Sequence, residues 1–245
     1  MLKIPENKKT RNLPNYMQEH LIMISPDSAK VTITMFCLIL LDMSAVPLLY
    51  PKNDLIYMIT IPLIIFIHLW LIRLLFKNPY TTQMETTLFM GVFSIIGAIC
   101  NFITSIKVSY VFVEISNLWF YVVFSIVHII LIAVLIQYQI EKYSEINYKI
   151  EESNKWYNNT RFIPLLTAAP GIGYIIFQSS KNSEKGMHSV FLIATVIFTL
   201  FLSYFAAKYI HKYFFMKTNM RLVFFDKPSD KNLLKKYERK GVVYK

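Results

Sequence analysis

The chain has 245 residues, 55% of them hydrophobic and only 17% charged, with 26 lysines and arginines against 15 acids. Ordinary soluble domains carry about 25% charge, so these values, with a mean hydropathy of +0.42, argue against a soluble enzyme or a nucleic-acid-binding module. They read instead as an all-α integral membrane protein. Apolar runs of about twenty residues, the length that crosses a hydrocarbon core of ~30 Å, recur along the sequence and lack the polar faces of soluble core helices.

Residues 1–30 form a basic arm ahead of the first apolar run. Residues 31–210 then hold six expected transmembrane helices: Val31–Tyr50, Asp54–Phe76, Thr86–Ile106, Asn117–Ile140, Phe162–Gln178 and Ser189–Ile210. Residues 211–245 form a basic tail. With six crossings and both termini in the cytoplasm, the outer side keeps only Lys52, Lys107, Lys181 and Lys185 of the 26 basic residues. An excess of Lys and Arg in the inner connections is what sets topology. The expected fold is therefore a six-helix bundle in a cell membrane, multi-pass, with cytoplasmic ends.

Polar residues within the spans are few. Asp42 interrupts the first, His68 the second, Asn101 the third and His128 the fourth. A carboxylate at the centre of a membrane helix costs about 2.5–3.5 kcal/mol on insertion scales, so it faces the bundle interior and finds a partner. Counting 1.5 Å per residue from the inner span ends puts Asp42 and His128 at about 16 and 18 Å, against about 12 Å for His68. Tyr121, Ser125 and His128 share one face of the fourth helix. The expected intramembrane pair is Asp42 with His128, structural or proton-linked, with His68 and Asn101 as secondary polar positions. Ser94 and Ala98, four residues apart, mark a face suited to close helix approach.

Other segments carry their own expectations. Lys107–Ser116 alternates in the manner of a short extended strip, with Tyr110 and Phe112 as an external ligand surface. Glu–Lys pairs four residues apart (Glu145 with Lys149, Glu151 with Lys155) extend the fourth helix to about Trp156. Pro170, Gly171 and Gly173 break the fifth span, since a proline frees backbone groups that neighbours must satisfy. In the tail, Ser229 and Gly241 bracket a short helix bearing Lys231, Lys235, Lys236, Arg239 and Lys240, suited to anionic lipid headgroups at the cytoplasmic face. A tethered basic tail without a nucleic-acid fold signature argues for no nucleic-acid partner.

Catalytic motifs are missing from the sequence: it has no HExxH helix, no GxSxG turn and no nucleotide loop. Cys37 and Cys100 stand apart, so no metal site and no cofactor are expected. The reading that follows is a non-enzymatic accessory or self-protection protein of the toxin- or bacteriocin-immunity type, with a membrane or secreted protein as partner. The alternative is a transport component, such as a permease subunit driven by a separate ATPase. Richness in Lys, Asn, Ile and Tyr suggests a bacterial origin.

Overall fold

The computed structural model describes residues 2–144, 146, 183–228 and 231–238. Among them every regular element is a helix. Besides two 3-10 turns (Thr10–Asn12 and Met220–Leu222), these are in chain order α1 (Asn15–Leu21), α2 (Pro26–Met35), a π-helical stretch (Phe36–Asp42), α3 (Met43–Leu49), α4 (Asp54–Phe76), α5 (Gln83–Val111), α6 (Leu118–Lys142), α7 (Glu184–Thr218) and α8 (Lys231–Glu238). Four of them, α4 to α7, are long and apolar enough to cross a membrane, the mark of a membrane-embedded protein. The expected second span coincides with α4; the third and sixth lie inside α5 and α7, and the fourth matches α6 apart from Asn117, which caps it. Span 162–178, with Pro170, Gly171 and Gly173, lies outside the described residues.

Helix ends follow local chemistry. Asn53 accepts a hydrogen bond from the Ile56 amide and opens α4, Asn117 caps α6 through Trp119, and Ser183 caps α7 through Gly186, each satisfying an amide the helix leaves unpaired. The first apolar run is not one regular helix. It starts at Pro26, a residue suited to the first turn, passes through the π-helical stretch and continues through α3, which contains Pro47.

Helix α5 is the axis of the bundle. Its apolar window is 67% buried, against 6% for α6, and it packs against α3, α4 and above all α7. The α5–α7 seam is antiparallel and made of small and hydroxyl residues. Gly91 lies against Ile210 and Gly97 against Leu202, while Ser105 Oγ meets Thr195 Oγ1 at 3.0 Å. In lipid the hydrophobic effect does not drive helices together, so close backbone approach and interhelical hydrogen bonds carry the association. The Ser94–Ala98 face belongs to this buried side of α5. On the other side of α5, Phe89, Phe93, Met90, Ile67 and Leu71 form the main apolar core with α4 and Leu41.

A second core sits at one end of the bundle, called here the arm end. At 35 residues and 1.5 Å per residue, α7 is about 52 Å long, well beyond a bilayer core. Its last turns meet the N-terminal arm. Ile4, Leu13, Tyr16, Met17 and Leu21 are buried against Phe215, Met216 and Val223. Asn219 accepts from the Ile4 amide (2.8 Å) and donates to the Leu2 carbonyl (3.0 Å), and Arg221 donates to the carbonyls of Ile4, Pro5 and Glu6. The arm is thus folded onto the bundle through apolar residues that its basic character hides in the sequence.

Two further expectations are corrected. Lys107–Val111 is the last turn of α5 and not an extended strip. The cause is Lys107 itself: it is buried, and its ammonium donates to the carbonyls of Pro47 (3.0 Å) and Leu48 (2.7 Å) at the end of α3. Helix α6 stops at Lys142 rather than near Trp156, where Tyr143 turns inward and stacks against both His20 and His211.

Candidate functional site

Within the bundle, Asp42 is met by His68 and not by His128. His68 Nε2 lies 3.2 Å from both Oδ1 and Oδ2 of Asp42. The expected Asp42–His128 pair fails for a topological reason. The α2–α3 run and α4 are consecutive antiparallel helices joined by a short turn, so they are neighbours, whereas α6 packs mainly on α7. Depth counted along a straight helix was also misleading. The helix begins at Pro26, five residues before the apolar run, and Asp42 ends a π-helical stretch whose register differs from that of an α-helix.

The hydrogen bonds of His68 define what this pair carries. Nδ1 sits 2.8 Å from the carbonyl oxygen of Ile64, one turn earlier, so Nδ1 bears a hydrogen and donates it. A neutral ring then offers only a lone pair at Nε2, facing the carboxyl oxygens. The contact is attractive only with a second hydrogen in it, either on Nε2 or on the carboxyl group. A pair hydrogen-bonded in either way presents no net charge to the membrane, which lowers the cost of an acid in a membrane helix. Both side chains are about one-third exposed, at 32% for His68 and 36% for Asp42, so the pair lies at the bundle surface rather than sealed in its core. Cys37, on the same π-helical stretch, is fully buried and unpaired.

His128 takes part in a different feature. Its ring stacks on Phe102 at 4.7 Å, and it lines a cleft of about 500 Å³ between α5, α6 and α7. The walls are apolar and include Ala98, Phe102, Ile132, Ile136 and Ala206, while Gln139 and His211 close one end. Ile99, Ile136 and Ile140 at the rim are exposed, so the cleft opens sideways onto the bundle surface. Asn101 points elsewhere: its Nδ2 donates to the Gly97 carbonyl at 2.9 Å, within α5.

A cluster that the sequence did not reveal lies at the arm end. His20 Nε2 and His211 Nδ1 are 3.1 Å apart, Tyr143 stacks on His20 at 3.9 Å, and Phe215 completes the group. Burial, then His211, then Lys212, Lys208 and Lys142 push the His20 imidazole down to about 2. Burial foremost, with Tyr204 and Tyr138 adding, raises the Tyr143 phenol above its ordinary value. No sequence signal could have found this cluster, since its histidines are separated by 191 positions.

At the opposite end, Glu114 pairs with Lys185 at 2.5 Å, and the Lys185 contact holds the Glu114 carboxyl below its usual range. Helix α8 is present as expected, with Lys231 and Lys235 exposed. Lys236 is on the same helix, and Arg239 and Lys240 lie outside the described residues. Among the described residues no group of three His, Cys, Asp or Glu side chains could hold a metal ion. No protein-family model matches this chain, and neither does any curated protein or solved structure.

Proposed function

We propose that this chain is a multi-pass protein of a bacterial cell membrane that acts by binding and not by catalysis, as an accessory or self-protection protein of the immunity type. The observation that supports it most is the closure of the arm end. Asn219 and Arg221 clamp the N-terminal arm by hydrogen bonds, and its apolar residues seal the last turns of α7. A bundle plugged by its own chain is suited to meeting another membrane-inserted molecule side-on. Six crossings with cytoplasmic termini belong to this reading. Tyr143 lies beside His211, and Lys185 pairs with Glu114, at opposite ends of the α5–α7 seam.

The test is deletion of the gene in its host, followed by challenge with membrane-active peptides and with any secreted toxin encoded beside it. Loss of survival, restored by the intact gene, is expected; unchanged survival overturns the reading. A second reading, a transport component, is favoured by the Asp42–His68 pair, because ionisable groups within membrane helices mark ion or proton paths. Proton flux across proteoliposomes that is lost in Asp42→Asn would select it.

A further inference from the structure

The cleft between α5, α6 and α7 has a chemical polarity along its length. Its body is largely apolar, with His128 and Ser203 as the polar side chains along it, and the small side chains of Ala98, Ala206 and Ala207 open the space. Its arm end is polar, closed by Gln139 and His211. Lys142 lies three residues beyond Gln139 and Lys208 three before His211, spacings that share a helix face. Lys142 is further located by its ammonium, 5.9 Å from the Tyr138 ring centre and 5.7 Å from that of Tyr143. Lys212 follows His211 directly, and its ammonium donates to the Glu19 carbonyl at 3.2 Å. All three lysines are half-buried.

Among the described residues, the nearby carboxylates are Glu19, whose charge acts on Lys212, and Glu141. Among the described residues none of the three lysines forms an ion pair. Glu141, the acid next to Lys142, is engaged by Gln137 Nε2 at 2.7 Å. The lysines converge closely enough to act together on His20. A cluster of three lysines without a direct ion pair among the described residues, at the mouth of a largely apolar, laterally open slot, matches one kind of membrane molecule on both counts. Basic pockets between transmembrane helices recognise anionic lipid headgroups in this way.

We propose that this cleft is a binding site for an anionic phospholipid, with an acyl chain between α5, α6 and α7 and the phosphate held at the arm end by Lys142, Lys208 and Lys212. The site is separate from the basic tail, since all of its residues precede Lys217. It also couples lipid to fold. The headgroup would bridge α6, α7 and, through the Lys212–Glu19 contact, the arm, so occupancy would tighten the junction around Tyr143.

The full-length protein, purified in mild detergent, tests this by native mass spectrometry with phosphatidylglycerol and phosphatidylcholine offered together. Phosphatidylglycerol is expected to be retained preferentially, and Lys142→Gln/Lys208→Gln to reduce that preference by about fivefold per lysine, the factor for roughly 1 kcal/mol per charge near the surface. Ala207→Trp, which fills the slot, is expected to reduce retention of both lipids. If the double lysine variant keeps the wild-type preference, the tail or the arm is the source and the proposal fails. It fails equally if Ala207→Trp, folded by circular dichroism, retains lipid as the wild type does. Inorganic phosphate alone raising the melting temperature as much as phosphatidylglycerol would assign the lysines to free phosphate instead. Should Ala207→Trp not fold, the lysine variant, altered only at half-buried ends of long side chains, decides the matter.

Discussion

Asp42 and His68 face each other across adjacent helices, with one imidazole nitrogen equidistant from both carboxyl oxygens at 3.2 Å. The other ring nitrogen is committed to the Ile64 carbonyl. This makes the nature of the replacement at position 42 decisive. The amide of Asp42→Asn can donate to Nε2 of a neutral ring, whereas Asp42→Leu leaves that nitrogen unsatisfied. Asp42→Leu is expected to cost about 1–3 kcal/mol of stability and Asp42→Asn less, read as thermal melts in detergent. His68→Phe combined with Asp42→Leu should be less damaging than the sum of the single changes, while His128→Ala should add independently. Coupling of Asp42 to His128 and not to His68 would contradict the structure.

The α5–α7 seam predicts an asymmetry between two glycines. A Cβ at Gly91 would meet Ile210 Cδ1 at 2.7 Å and its backbone nitrogen at 3.1 Å, whereas one at Gly97 meets only the end of the Leu202 side chain at 3.0 Å. A backbone atom cannot rotate away. Gly91→Ala should therefore destabilise by about 1–3 kcal/mol, the range for overpacking, and Gly97→Ala by clearly less. Equal melting points for the two variants would show that α5 and α7 are not this close.

Lys107 holds the end of α3 through two carbonyls. Lys107→Met keeps the length of the stem and removes the donors, leaving both carbonyls unpaired in a buried place. A loss of about 1.5–3 kcal/mol, the range for hydrogen bonds to a charged group, is expected. Cysteine-accessibility labelling near Tyr50 should rise in the variant; an unchanged label and melt would mean that the α3 end is held by other contacts.

Acid should loosen the arm. His20 is held down to about 2 in the folded protein, against an ordinary value of 6.5. Above about pH 6.5 both folded and unfolded forms are neutral at this ring, and the stability is fully present. As pH falls below 6.5 the unfolded or undocked form takes up a proton that the folded form refuses, so stability is lost by up to about 1.4 kcal/mol per pH unit. Limited proteolysis between Thr10 and Ile22 should be faster at pH 5 than at pH 8. His20→Phe, which keeps an aromatic ring against Tyr143, should reduce that difference. Identical cleavage at both pH values in the wild type would mean that the ring is not buried as a neutral group.

Much of the fold is legible because lipid is an unforgiving solvent. The boundaries Asp54–Phe76 emerge from the sequence as they stand in the structure, since an uninterrupted apolar run has no other stable state than a helix in a bilayer. The irregular first run is less legible, because a π-helical turn has no residue signature and the helix begins at Pro26, in polar text. The polar residues themselves were also visible. Asp42, His68 and His128 are conspicuous among apolar neighbours, yet their depths along separate helices do not say which helices touch.

The sequence alone determined that this is a helical membrane protein, where α4 lies, and that Asp42 must find a partner. Each follows from the local cost of placing backbone and charge in hydrocarbon. Only the tertiary structure decided that the partner is His68, that α5 and α7 close on Gly91 and Gly97, and that His20 meets His211 and Tyr143 under a folded arm. These depend on which helix faces which, a choice made by side-chain shapes meeting across the bundle from distant parts of the chain.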